Sequence, residues 1–328
     1  MSTILEHPEG TVQIDERDGR LAIAVDARPG QFIPVGRWET RYSLELIEHV
    51  LSVKGPDYLC DEIMRDESPS YVQHHFHWDI LSYATPEAFA GKRILDFGSG
   101  SGASSMVLAR MFPDATIVGV ELVAEYVELA RHRARFHGVD DRVTFLLSPD
   151  PSELPEIGEF DAVIFSAVFE HLLPAERTQV LPLLWSHVRP GGMLFLDQTP
   201  YRWFPIELHT TGLPLINYLP DRLTLECARR FSKRVNRDVT WDELLRKGVR
   251  GGTPAQIVGI LQGAGGRAEL VEPSQLGVTD RVDLWFRVSS GSRHAKVKSY
   301  LKTGLQTARK VTGVTMTPSL SLAIRKLG

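Results

Sequence analysis

From Lys92 onward the chain alternates short apolar runs with helical stretches, and this alternation limits the folds open to it more than any other feature. The runs are "RILDF" (93–97), "TIVGVE" (116–121), "VTFLL" (143–147), "DAVIFS" (161–166) and "GMLFLD" (192–197). Helical stretches are expected near 102–112, 123–137 and 175–188, the second with Val123, Val127 and Ala130 on one apolar face. Apolar strands joined by helices require right-handed crossovers and a parallel sheet covered on both faces. The expected fold class is therefore α/β, an open doubly wound sheet, and ligands of such sheets bind at the carboxyl ends of the strands.

The stretch "ILDFGSGSGASS" (94–105) falls at such an end. Gly98, Gly100 and Gly102, with Ser99 between the first two, let the chain turn sharply and let a ligand approach the backbone. The helix that follows offers free N–H groups. Gly98, Gly100 and Ala103 also satisfy the G-x-G-x-x-G/A pattern of dinucleotide folds, so this stretch alone leaves the ligand open. Glu121 closes the second run, where a carboxylate can accept from both hydroxyls of a ribose. Asp96, two residues before the first glycine, is poorly placed beside a pyrophosphate and better placed beside an ammonium and a sulfonium.

Composition is that of an ordinary globular protein, 328 residues with 43% hydrophobic and 24% charged, and no apolar run is long enough to span a bilayer. Residues 1–10 lack the basic start and apolar core of a secretory signal, so a cytoplasmic location is expected. Cys60 and Cys227 are too few for a disulfide framework and too far apart for a metal knuckle. The net charge of −4 is unevenly spread. Nine cations and no acid follow Asp283, which leaves residues 1–283 at −13. The nine are Arg287, Arg293, Lys296, Lys298, Lys302, Arg309, Lys310, Arg325 and Lys326, a polarity fit for weak contact with an acidic surface or for pairing with the protein's own acidic body.

Outside the alternating region, "TVQID" and "LAIAV" flank "ERDGR" as a hairpin, and Leu44, Ile47, Val50 and Leu51 mark a helix over 42–53. A second helix is expected over 70–82, capped by Ser68. Later, 253–266 reads as a helix, "RAELVEP" as a strand, 293–310 as a basic helix with Val297, Leu301, Leu305 and Ala308 inward, and "PSLSLAIRK" as a closing strand.

Two further segments, "FDAVIFSAVFEHLL" and "LWSHVRPGGMLFLD", complete the ordered set with Asp96, the glycines and Glu121. Over about residues 92–199 the chain resembles the class I S-adenosylmethionine-dependent methyltransferases, in particular the broad group that includes the ubiquinone and menaquinone methylating enzymes. The resemblance implies a Rossmann-like, mostly parallel seven-stranded sheet, closed by an antiparallel pair and covered by an N-terminal helical lid. It implies S-adenosylmethionine as cofactor, with Gly98, Ser99, Gly100 and Gly102 cradling the methionine part, Asp96 facing it and Glu121 holding the ribose. Leu122 would lie against the adenine, Asp150 would read its amino group, and Ser166 and Ala167 would border the methyl. The family's Gly-Asp pair is replaced here by "LSPDPSELP", which leaves Ser148 as an alternative to Asp150.

The resemblance places the hairpin and lid in 1–90 and the methyltransferase domain in 91–328, with an inserted substrate cap at 200–252. The expected reaction is methyl transfer to a small-molecule acceptor, acidic or lipid-linked in character, with an oxygen nucleophile first. The rivals are an NAD-dependent oxidoreductase and a noncatalytic S-adenosylmethionine binder. His209 in the Pro- and aromatic-rich cap, His171 after the fourth run and Tyr201 are the expected catalytic residues. The acid that joins a Glu-His pair to hold a divalent ion in some relatives would fall at Ala167, so no metal is expected, and neither is a nucleic acid partner.

Overall fold

A computed structural model describes residues 2–28, 33–150, 153–289 and 295–328. Strands β1 (Ser2–His7), β2 (Gly10–Arg17), β3 (Arg20–Ala27) and β4 (Arg37–Thr40) form an antiparallel sheet in that order, followed by helices α1 (Leu44–Glu67) and α2 (Val72–Asp79). The alternating region runs β5 (Arg93–Phe97), α3 (Ala103–Met111), β6 (Thr116–Glu121), α4 (Ala124–Phe136), β7 (Val143–Leu147), β8 (Phe160–Ser166), α5 (Pro174–Ser186) and β9 (Val188–Pro200). Then come α6 (Asp221–Phe231), α7 (Trp241–Arg246), α8 (Pro254–Gly263), β10 (Arg267–Val271), α9 (Arg281–Val288), α10 (Ala295–Thr312) and β11 (Ser319–Leu327).

The larger sheet has seven strands in the order β10-β11-β9-β8-β5-β6-β7. Its pairs β5–β8, β8–β9 and β6–β7 are parallel, while β9–β11 and β11–β10 are antiparallel. This is the mostly parallel doubly wound sheet expected of the sequence. The chain falls into two compact units, Met1–Phe76 with Gly98–Pro149, and His77–Phe97 with Asp150–Gly328.

In the first unit, α1 outruns the expected 42–53 helix because the chain resumes helical geometry after a break at Gly55, whose φ of 72° only glycine adopts freely. Ser68 closes α1, its N–H bonded to the Met64 carbonyl, instead of capping the next helix. The short edge strands β1 and β4 were not foreseen, since pairing with β2 and β3 supplies what their own sequences lack.

Beneath these elements lies a buried ionic network. Arg133 on α4 is fully buried and donates to the Ser101 carbonyl at 3.2 Å, the Ser101 hydroxyl at 2.8 Å and the Glu62 carbonyl at 3.2 Å. Asp66, also fully buried, receives Arg110 at 2.7 Å, lies 2.7 Å from His137 Nε2, and accepts from the Tyr42 hydroxyl. Burial alone would raise the Asp66 pKa. The His137 contact and the Arg110 and Arg133 guanidinium groups outweigh it and hold the carboxyl well below its ordinary range.

In the second unit, Val163, Ile164, Phe165, Leu194, Phe195 and Leu196 form a fully buried centre across β8 and β9. Six of the nine C-terminal cations are held within this unit. Lys302 reaches Asp283 at 2.5 Å, Arg287 reaches Asp283 at 3.1 Å, Arg309 reaches Asp280 at 2.9 Å and Arg325 reaches Glu269 at 3.5 Å. Lys298 and Lys326 donate to backbone carbonyls. Lys296 and Lys310 are exposed and Arg293 lies outside the described residues. Val297, expected to face inward on α10, is instead 64% exposed, one turn ahead of the partly buried Leu301.

Asp66→Asn should cost about 3–5 kcal/mol, because removing one partner strands buried charge. The native advantage over the variant should be full above the unfolded carboxyl pKa of about 3.9 and shrink as pH falls below it, as followed by urea unfolding from pH 7 to pH 3.

Candidate functional site

The glycine-rich loop belongs to the first unit. Gly98 N and Ser99 N both donate to the Val120 carbonyl, at 2.9 and 3.1 Å, and Gly102 N donates to Ser99 at 2.9 Å. Gly98, Gly100 and Gly102 all take left-handed conformations, with φ of 73°, 53° and 84°. Two of them serve different ends. A Cβ at Gly102 would lie 2.7 Å from the Ala130 Cβ and 3.0 Å from the Phe145 ring, so this glycine lets α3 start hard against α4 and β7. A Cβ at Gly100 would meet nothing within 4 Å, which leaves open space beside the backbone where a ligand could approach.

Glu121, at the end of β6, accepts from Gly100 N at 2.9 Å through one oxygen and from Leu122 N at 2.8 Å and Val123 N at 3.2 Å through the other. Its carboxylate is thereby fixed, with lone pairs remaining for hydroxyl donors. Leu122 is 49% exposed beside it, and Ser148 is buried, its N–H bonded to the Glu121 carbonyl at 2.8 Å.

The second unit contains the tips of β5, β8 and β9. In the order β9-β8-β5-β6, successive connections leave β5 in opposite directions, so the switch point lies between β5 and β8. Asp96, buried on β5, is in register with Ile164 of β8. Ser166 of β8 is in register with Asp197 of β9, and its hydroxyl donates to Asp197 Oδ1 at 2.5 Å while accepting from Gln198 Nε2 at 3.0 Å. The residues that follow, Ala167 and Gln198, take φ of 54° and 60°. Left-handed conformations at two neighbouring non-glycine positions are costly and gather at functional sites. Burial pushes the Asp197 carboxyl up to about 7 against the Ser166 and Gln198 hydrogen bonds, with Glu170 and Asp96 adding to the rise. Asp79, equally buried, is raised by its own desolvation and by Asp197.

Past β8, Glu170 is fully buried and accepts from the Thr199 hydroxyl at 2.8 Å. Its other oxygen lies 3.7 Å from His171 Nε2, and the His171 and His209 rings are 5.9 Å apart. Gly248, at φ 91°, admits the His209 ring where a Cβ would be 2.7 Å from it, and the Glu207 carboxylate receives the N–H groups of His209 and Thr210 at 2.8 Å. Sequence alone did not bring His171 and His209 together. Glu170, His171 and His209 each offer one ligand atom within 4.8 Å of the others, a spacing that could hold a divalent ion.

Residues 201–252 return to their starting point through Arg202 N to the Gly252 carbonyl at 2.8 Å and Gly252 N to the Pro200 carbonyl at 3.0 Å. Ile216, Ala228, Val235, Val239, Leu244, Leu245 and Val249 pack inside them as a small core. The buried Arg177 donates to the Gly251 and Arg250 carbonyls at 2.9 and 2.6 Å. Tyr201 is buried at this junction, where desolvation raises its pKa. Asp150 is exposed, its carbonyl bonded to Glu153 N at 3.2 Å, and Pro151 and Ser152 of the same loop lie outside the described residues.

Asp197 and Asp79 are not among the site residues expected from the sequence. The signal for Asp197 was present, since it ends "GMLFLD" much as Asp96 and Glu121 end their strands. Nothing local marks Asp79, within the histidine- and aromatic-rich "YVQHHFHWD".

Residues 94–192 match the family model described as a methyltransferase domain. An O-methyltransferase of Aspergillus hancockii, hkm8, is 32% identical over 180 residues, which are 53% of this chain and 68% of that protein. The mitochondrial ubiquinone biosynthesis O-methyltransferase of Mus musculus is 30% identical over 135 residues, 40% of this chain and 35% of the relative. A probable fatty acid methyltransferase of Pseudomonas putida is 34% identical over 105 residues, 32% of this chain. The matches span about a third of the mouse relative and about a quarter of the Pseudomonas one.

Gly102→Ala should destabilise the protein by about 2–4 kcal/mol, combining overpacking with the left-handed penalty. Gly100→Asn should change stability by less than about 1 kcal/mol, since asparagine tolerates that backbone region. Thermal melts of the two variants test the contrast.

Proposed function

The chain belongs to the S-adenosylmethionine-dependent methyltransferases, and on that footing we propose that it transfers a methyl group from S-adenosylmethionine to the oxygen of a small-molecule acceptor. The observation that carries this reading is the buried acid at the carboxyl ends of the second unit's parallel strands. Asp96 and Asp197 are only 3% and 1% exposed there. Carboxylates so placed repel a pyrophosphate and favour a cationic ligand, which sets the reading apart from that of a dinucleotide oxidoreductase. The open face at Gly100 and the fixed Glu121 carboxylate fit an adenosyl ligand as well.

The cofactor supplies a methyl group already bonded to a positively charged sulfur. The protein's part is chiefly to orient the reactants, which can contribute about 7–11 kcal/mol when they are held in line. In this reading the loop at Gly98, Ser99, Gly100 and Gly102 receives the methionine part and Glu121 the ribose. Leu122 and Asp150 meet the adenine, Asp96 faces the cationic end, and Ser166 and Ala167 border the methyl. His209, His171 and Tyr201 are the acceptor-facing residues. The choice of oxygen is supported by relatives that are themselves named O-methyltransferases.

Calorimetry should show binding of S-adenosylmethionine and of its demethylated product, S-adenosylhomocysteine, and none of NAD. Tight NAD binding without response to the other two would overturn the proposal. Gly100→Asn should weaken S-adenosylmethionine binding by at least about tenfold at an unchanged melting temperature. Incubation with methyl-labelled cofactor and candidate phenols and alcohols should then place label on oxygen, and label found only on nitrogen or carbon would reject the acceptor assignment.

A further inference from the structure

Two buried acids, Asp79 and Asp197, influence each other within the second unit, and the reaction as proposed so far gives neither a part in proton transfer. Asp197 is bound on one side only. Its Oδ1 accepts from Ser166 at 2.5 Å, while Oδ2 is buried with no hydrogen-bond partner among the described residues. An ionised carboxylate left half-satisfied in a dry setting is costly, whereas a protonated one, or one opposite a cation, is not. The groups that bear on it are Asp79 of α2, Asp96 of β5, Glu170 beyond β8, and the Ser166 and Gln198 side chains. None of these carries positive charge. Arg281 acts on Tyr83, which also feels Asp79, and reaches Glu272 at 2.7 Å through Nη2, while its Nε and Nη1 have no hydrogen-bond partner among the described residues. Ser166 and Asp197 are register partners at the strand tips, and the two left-handed residues after them, Ala167 and Gln198, hold that pairing in a strained backbone.

We propose that Asp197 is a proton-exchanging residue whose charge follows that of the cofactor, ionised opposite a sulfonium and protonated opposite a thioether. The inference rests on the methyltransferase reading, in which Ser166 borders the methyl, because Asp197 is one hydrogen bond behind that serine. A positive sulfur near a buried carboxyl stabilises its ionised form, and removal of that charge restores the protonated form. Transfer forms the bond between acceptor oxygen and methyl carbon and breaks the sulfur–carbon bond, whose electron pair stays on sulfur. The acceptor's proton passes to the Ser166 hydroxyl as that hydroxyl's own proton moves to Asp197 Oδ1. One positive charge vanishes at sulfur and one negative charge vanishes at Asp197, so the buried site keeps its net charge through the step.

The test is calorimetry on the full chain at pH 7, in phosphate and in Tris, whose different heats of ionisation report protons released. S-adenosylmethionine should release up to about one proton, set by the fraction of Asp197 protonated beforehand, and S-adenosylhomocysteine should release close to none. Infrared difference spectra should show a protonated carboxyl band lost with the first ligand and kept with the second. Asp197→Asn should abolish both the release and the band change, bind S-adenosylhomocysteine within about twofold of the native protein, and reduce the preference for the sulfonium form by about tenfold. Asp79→Asn separates the partners, since its release should persist if Asp197 is the exchanging group. Equal release with both ligands, release unchanged in Asp197→Asn, or release lost only in Asp79→Asn would overturn the proposal. Binding of neither ligand would instead overturn the cofactor reading, and this inference with it.

Discussion

The glycine-rich loop is held from beneath by a single buried guanidinium. Arg133 extends from α4 to the Ser101 carbonyl and hydroxyl and to Glu62 of α1, so three separate elements of the first unit converge on one charge. Such a charge is tolerable in a dry interior when an acid stands opposite, as Glu62 does at 3.4 Å, even though the Arg133 Nε has no hydrogen-bond partner among the described residues. The arrangement explains how a loop with three left-handed glycines can be well placed. Glycine gives the freedom to adopt the turn, and Arg133 together with the close approach of Gly102 to Ala130 and Phe145 removes that freedom once folding is complete.

A different economy governs the second unit. It buries Asp96, Asp197, Asp79 and Glu170 with little or no exposure, and two of those groups present an oxygen without a hydrogen bond among the described residues. Fold stability alone gives no reason to gather acids in this way, and proteins accept such local violations where a ligand completes the site. The raised carboxyl of Asp197 and the depressed one of Asp66 illustrate the contrast. Both are buried, but Asp66 has Arg110 and His137 against it whereas Asp197, among the described residues, has only neutral donors and further acids.

The basic C-terminal region shows how misleading charge can be when counted along the chain. Four of its nine cations pair with Asp280, Asp283 or Glu269 of the same unit and two more donate to backbone carbonyls. Much of the apparent polarity of the sequence is thus neutralised by folding.

Sequence by itself determined the sheet, because burial on both faces demands apolar strands with helical crossovers, and that alternation is visible over β5 to β9 without any partner in view. It also determined the glycine loop and the acids Asp96 and Glu121, whose spacing is local. Only the tertiary structure decided which side chains share a site. Asp79 and Asp197 are more than a hundred residues apart in the chain, and His209 comes close to His171 only because Gly248 leaves room for its ring. The continuation of α1 past Gly55 and the outward turn of Val297 were set in the same way. Periodicity reports what a segment needs to bury, whereas the identity of the groups it is buried against depends on chain crossings that no local pattern records.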